Sequence, residues 1–126
     1  MIRVLLVEDN EVYRSSLELL LGLQAGLEVV GAVGTGNEAA EAATRHDADV
    51  VLMDYRLPGL DGAAATREVV ATSRAAVVCL TAEATAEERE EVVRAGAAAF
   101  VEKGDSVDAL AAAIRSAAPR SDSEGV

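Results

Sequence analysis

Five side chains in this sequence could do chemistry together: Glu8, Asp9, Asp54, Thr81 and Lys103. Each directly follows, or closely trails, a short run of apolar residues. Three carboxylates gathered at one place cannot all stay ionised unaided, because like charges raise one another's pKa. A bound divalent cation resolves that conflict. An oxygen-only donor set suits Mg2+, or Mn2+ in its place, with water and a phosphate sharing the shell. A carboxylate can also be the nucleophile toward phosphorus, becoming an aspartyl phosphate. Such a transfer depends on positioning and charge neutralisation more than on acid–base groups. The Lys103 ammonium and the Thr81 hydroxyl have the chemistry to meet phosphoryl oxygens. Taken singly, each residue has a plainer reading. Glu8-Asp9-Asn10 reads as a strand end and helix cap, and Asp54 as the start of a turn through Pro58-Gly59. Thr81 alone is a hydroxyl bonded to backbone, and Lys103 alone a surface charge. The argument lies in the combination.

The elements that must position these residues are legible as two alternating kinds of segment. Apolar runs at Ile2–Val7, Leu27–Val33, Asp49–Met53, Ala75–Leu80 and Ala97–Val101 are rich in Val and Leu and mostly continuous. That is the pattern of strands buried on both faces of a parallel sheet. Between them lie segments of helical spacing. The first carries Val12, Leu17, Leu20 and Leu21 close to one face. The others span Asn37–Arg45, Gly62–Thr72, Ala86–Ala95 and Val107–Ala118. Thr35 with Glu38, and Thr85 with Glu88, are spaced as capping boxes. Asn10, Asp61 and Asp105 or Ser106 are expected N-caps, and Gly96 a helix stop. Five β-α repeats predict an α/β, doubly wound parallel sheet with helices on both faces. Every candidate residue then falls at a carboxyl strand end, where ligands bind in open α/β sheets. The second strand contributes nothing comparable, which suits the strand order 2-1-3-4-5.

Composition is compatible with this reading. A chain of 126 residues, 51% apolar, is expected to form one domain with one core. The net charge of −11 argues against direct contact with a nucleic-acid backbone. The lone cysteine, Cys79, lies in an apolar run and is expected to be a buried structural thiol, so no disulfide framework exists and a cytoplasmic setting is expected. No segment reads as a membrane span or signal peptide. The single His46, between the second helix and third strand, is expected at a helix end and not as a phosphocarrier. Residues 1–118 are expected to be the domain, and 119–126 a polar tail or the start of a linker.

The run Ile2-Arg-Val-Leu-Leu-Val-Glu-Asp-Asn10 resembles the first strand and acid pair of response-regulator receiver domains. Met53-Asp-Tyr-Arg-Leu-Pro-Gly-Leu-Asp-Gly62 resembles their phosphorylation loop. Leu80-Thr-Ala82 and Phe100-Val-Glu-Lys103 match the family's switch threonine, switch aromatic and lysine. The resemblance spans residues 2 to 118 and implies a flavodoxin-like (βα)5 sandwich. It implies that Asp54 accepts phosphate from a sensor histidine kinase. Glu8, Asp9, Asp54 and the backbone carbonyl of Arg56 would hold Mg2+, and Thr81 and Lys103 would contact the phosphoryl group. Phe100 would turn inward with Thr81, reshaping the face of the fourth helix, fifth strand and fifth helix. Arg56 and Glu83 stand at positions that tune acyl-phosphate lifetime in the family, and a salt bridge between them is expected across the site mouth. Two departures stand out. Glu8 is longer than the aspartate often found there. Gly104 follows Lys103 where many receivers have proline, so the family's cis geometry is not assumed here and the geometry of this peptide stays open.

Other readings are a Mg2+-dependent phosphohydrolase, a phosphate-independent interaction domain and a flavin-binding domain of the same topology. The first usually pairs its nucleophile with an acid two residues on, where this chain has Arg56. The second leaves a complete residue set without use. The third needs a Gly- and Ser/Thr-rich phosphate loop after the first strand. The expected output is control of transcription, by similarity of Ala95-Gly-Ala-Ala-Ala-Phe100 and Gly34-Thr-Gly-Asn-Glu-Ala-Ala40 to receivers that precede a LuxR-type DNA-binding domain. A stand-alone receiver acting by protein contact is the alternative, and homodimerisation on phosphorylation is expected through the fourth or fifth helix. No enzymatic activity is expected beyond self-phosphorylation and autodephosphorylation.

Overall fold

In a computed structural model the described residues are 1–119; residues 120–126, most of the expected tail, lie outside them. The chain alternates β1 (Ile2–Val7), α1 (Glu11–Gly22), β2 (Leu27–Val33), α2 (Ala39–Arg45), β3 (Val50–Asp54), α3 (Gly62–Thr72), β4 (Ala76–Thr81), α4 (Ala86–Ala95), β5 (Ala99–Glu102) and α5 (Val107–Ala117). All five strands are parallel in the order β2-β1-β3-β4-β5. The first two strands have the expected limits. The last three begin one or two residues later than expected and take in Asp54, Thr81 and Glu102. Polar residues extend the strands because their backbone groups still join the ladder: Asp54 pairs with Leu80, and Thr81 with Glu102.

The two-residue period of the strands divides the core. Val4, Leu6, Leu52, Val78 and Leu80 face α1 and α5, against Leu17, Leu21, Leu110 and Ile114. Leu5, Val7, Val51, Met53 and Val77 face α2 and α3, where alanines bring the helices close. Cys79, Val92, Ala95 and Tyr55 form a smaller cluster beneath α4, with Phe100 packed on it.

The buried stripe of α1 is Leu17 and Leu21, with Tyr13 packed against the same cluster. Val12 and Leu20, expected on that face, are 77% and 40% exposed. Residues 13, 17 and 21 follow the i, i+4, i+8 line, whereas Val12 lies off it.

Helix starts follow the capping chemistry in all but one case. Asn10, Asp61 and Ser106 side chains accept backbone N–H groups from Tyr13, Ala64 and Ala109. Thr85 and Glu88 form the expected box. Thr35 and Glu38 do not: Thr35 Oγ1 bonds the Glu38 carboxylate at 2.9 Å, and the chain enters α2 through a 3-10 turn at Gly36–Glu38. That tighter turn gives Thr35 no backbone N–H to accept. Gly96 ends α4 at φ 112, a left-handed conformation that side chains resist. Gly62 is required for space. A Cβ there would meet the Tyr55 Cα at 2.6 Å and the Asp54 carbonyl at 2.8 Å. His46 is the C-cap residue of α2, as expected. Among the described residues no helix is long and apolar enough to cross a membrane.

Candidate functional site

The carboxyl ends of β1 and β3, with the loop after β5, converge on one acidic pocket. Glu8 follows β1 and is locked on three sides. Its N–H donates to Val33 O at 3.0 Å, its carbonyl accepts from Arg14 Nη1 at 2.7 Å, and its Oε2 accepts the Asn10 N–H at 3.0 Å. It is only 1% exposed, whereas its neighbour Asp9 is open to solvent. Asp54 closes β3 and is 4% exposed. Oxygens of Glu8, Asp9 and Asp54 all lie within 4.8 Å of one another.

Lys103 supplies the balancing charge. Its Nζ is 3.0 Å from Glu8 Oε1 and 3.3 Å from Asp54 Oδ2. Its own N–H donates to Thr81 O at 2.7 Å, which straps the β5 loop to the end of β4. The peptide after Lys103 is trans, with Gly104 in place of proline.

The charges are not fully satisfied. Burial, followed by repulsion from Glu8, pushes the Asp54 carboxyl up to about 6 despite the Lys103 ammonium and the Arg56 N–H. Burial works against the charge on Lys103, but its contact with Glu8 and the charges of Asp54 and Glu8 prevail and hold its pKa above the usual value. Among the described residues, Glu8 Oε1 is the one buried side-chain polar atom without a hydrogen bond. Lys103 is close enough to neutralise it but is not aligned to bond it. A buried orphan oxygen within reach of two more carboxylates fits a small hard cation, which would accept such oxygens as ligands.

The other expected residues are distributed around this centre. Arg56 N–H donates to Asp54 Oδ1 at 3.3 Å, so its backbone runs beside the carboxylate. Its guanidinium pairs with Glu88 at 3.1 Å, not with Glu83. The expected Arg56–Glu83 bridge is therefore replaced by one to the first turn of α4. Glu83 instead turns its backbone to Thr81, whose hydroxyl accepts the Glu83 N–H at 3.2 Å and donates to the Glu83 carbonyl at 3.0 Å. Phe100 is half-buried on β5, with the Arg89 guanidinium 4.8 Å from its ring centroid. Arg89 also pairs with Glu102 at 3.0 Å.

Two contacts had no counterpart among the sequence expectations. The Tyr55 hydroxyl donates to Glu91 at 3.0 Å; burial, then that bond, pushes the phenol up to about 12. Lys103 Nζ stands 4.8 Å from the Tyr13 ring centroid. Tyr13 stands four residues before Leu17, on the line that the sheet face selects in place of Val12. Tyr55 carried no signal beyond adjacency to Asp54. Cys79, opposite Met53 in the sheet, is fully buried, and burial followed by the Asp54 charge pushes its thiol up to about 12.

Comparison with known proteins gives a family and a fold. Residues 4–115 match the response regulator receiver domain family. The response regulator UvrY of Escherichia coli K12 is 36% identical over 117 residues, covering 92% of this chain and 54% of that protein. The chain spans about half the length of the curated relatives it matches first. Among solved structures, the response regulator domain of Thermotoga maritima CheB superposes with a TM-score of 0.85 at 30% identity, covering 93% of this chain and 96% of that one. A LuxR-family two-component response regulator from Aurantimonas sp. SI85-9A1 gives 0.82 at 26% identity, covering 92% and 86%.

Proposed function

We propose, from the premise that this chain belongs to the response regulator receiver domain family, that it is a phosphorylation-driven switch with Asp54 as the phospho-acceptor. The observation that supports this best is the pocket itself: Asp54 lies beside two further acids and one lysine, with a buried carboxylate oxygen left unbonded.

The donor is a phosphohistidine on a sensor kinase. An Asp54 oxygen attacks phosphorus, the P–N bond breaks as the new P–O bond forms, and the imidazole leaves as the neutral ring, keeping the proton already carried by its other nitrogen. Glu8, Asp9, Asp54 and the Arg56 carbonyl would hold Mg2+, which would supply charge neutralisation between the acids and the phosphoryl oxygens. Lys103 stays beside the acceptor and meets a phosphoryl oxygen. Thr81 donates to another only by giving up the bond it donates to the Glu83 carbonyl. Phe100 then follows inward and leaves Arg89, altering the α4-β5-α5 face. Arg56 and Glu83 tune the lifetime of the acyl phosphate.

The transfer partner has an accessible surface near the pocket. Val12 and Leu19 are exposed along one side of α1, which starts two residues after Asp9, and the exposed C-cap residue Leu23 continues that line. An apolar helical stripe of this kind suits packing against a partner's helices. Output is control of transcription through a DNA-binding domain outside these residues, in a cytoplasmic protein, and phosphorylation favours a homodimer. The half-length match to full regulators and the LuxR-family structural neighbour support this reading. The domain itself makes no nucleic-acid or membrane contact, and it turns over no substrate beyond its own acyl phosphate.

Incubation with Mg2+ and acetyl phosphate should add one phosphoryl group, acid-stable and base-labile, that maps to Asp54 and is lost in Asp54→Asn. Arg56→Ala and Glu83→Ala should change its decay rate. Absence of an adduct with either acetyl phosphate or a sensor kinase would overturn the proposal, and steady hydrolysis of phosphoesters would point to a hydrolase.

A further inference from the structure

Tyr13 has no part in the roles assigned above, yet it touches the pocket. It lies in the first turn of α1 and packs on the core through the line that continues to Leu17 and Leu21. Its ring centroid is 4.8 Å from Lys103 Nζ, inside the ~6 Å over which a ring quadrupole attracts a cation. The same ammonium contacts Glu8 Oε1 and Asp54 Oδ2.

These three neighbours are not equivalent. Lys103 has a fixed backbone, through its N–H to Thr81 O, but a long flexible stem. The two carboxylates attract the ammonium only while their oxygens are free. A cation held by Glu8, Asp9 and Asp54 competes for those same oxygens. The ring has no such competitor, because its face takes no part in binding a hard, oxygen-seeking ion. The pocket's charges also reach the phenol. Burial raises its pKa most, Lys103 lowers it, and Glu8 and Asp54 raise it further.

We infer that Tyr13 is a positioning residue whose aromatic face holds the Lys103 ammonium beside Asp54, so that the cation is already in place when a phosphoryl group arrives. This rests on Asp54 being the acceptor. The ring carries the effect and the hydroxyl does not, so phenylalanine suffices at this position and leucine does not.

The test compares wild type, Tyr13→Phe and Tyr13→Leu, alone and with Lys103→Met. The first readout needs no phosphorylation. By NMR, the Lys103 ε-methylene protons should be shifted upfield by the ring current in wild type and Tyr13→Phe, and should return to ordinary values in Tyr13→Leu. The second is the initial rate of Asp54 phosphorylation by acetyl phosphate. Tyr13→Leu should slow it about two- to fivefold, the range that a partly exposed cation–π contact spans. Tyr13→Phe should restore it, and in the Lys103→Met background Tyr13→Leu should have no further effect. If Tyr13→Leu does not fold, Tyr13→Met takes its place. An unshifted Lys103 in wild type would overturn the inference. So would a wild-type rate in Tyr13→Leu, or a loss that persists without Lys103. A shifted Lys103 in a protein that forms no adduct would uphold the positioning and remove only the role of Asp54.

Discussion

At Asp54 burial and a second carboxylate oppose ionisation, while one ammonium and one backbone N–H favour it, and the first pair prevails. The consequence for stability has a definite sign. An unfolded aspartate titrates near ~3.9, and here the folded value is raised to about 6. Between these values the folded chain binds more protons than the unfolded one, so metal-free stability falls as pH rises through that window. Asp54→Asn removes the ionisation. In EDTA at pH 7.5 it should stabilise the protein by about 1–2 kcal/mol, less than the full value of the shift because the Lys103 contact is lost with it. Near pH 4 the gain should disappear. Urea melts at the two pH values measure this, and a gain equal at both would show that Asp54 is not strained by its charge. The residue types of the pocket were legible in the sequence because each sits at the end of an apolar run. Their partners were not. Nothing in the spacing of Arg56 distinguishes Glu83 from Glu88, since the choice depends on the direction in which α4 leaves β4.

α4 is tied to the site by side chains from both flanks. Glu88 accepts the Thr85 N–H at 3.0 Å as part of the capping box, and the same carboxylate pairs with Arg56. Tyr55 holds Glu91, and Arg89 holds Glu102 and lies over Phe100. The exposed pairs contribute little singly, about 0–1 kcal/mol each. The helix limits are firmer. Gly96→Ala would force a side chain into a left-handed conformation with its Cβ 3.1 Å from Val70. It should cost at least about 1 kcal/mol in a denaturant melt, and an unchanged midpoint would mean that the α4 terminus relaxes freely. This glycine, and the Thr85–Glu88 box, were readable because each is a local rule fulfilled locally. The Thr35–Glu38 box had the same spacing and failed because the chain enters α2 through a 3-10 turn. Val12 and Leu20 were misplaced for a related reason. Several leucines in α1 offer competing stripes, and the sheet face, not the helix, selects Tyr13, Leu17 and Leu21.

Across the whole molecule the two ends of the sheet have different work. The carboxyl end holds the acids. At the opposite end Asp49 accepts the Arg3 N–H at 2.8 Å and pairs with Arg74 at 2.6 Å, while the Arg3 guanidinium donates to the carbonyls of His46 and Asp47. This clamp joins β1, the α2–β3 turn and the loop before β4. Asp49→Ala should cost about 1–3 kcal/mol by leaving its donors unpaired, with the rate of acyl-phosphate formation unchanged. A slowed reaction would show that the ends are mechanically linked. The alternation of strands and helices made this layout legible in outline. The clamp was not, because arginine and aspartate near strand starts read as ordinary surface charge. Between the two ends, the single thiol of Cys79 is sealed under Val92 and Ala95 of α4. A thiol-trapping reagent in native buffer can therefore react only in the moments when that helix lifts or the sheet opens. The chain thus carries a built-in clock for the opening of α4, comparable before and after incubation with acetyl phosphate.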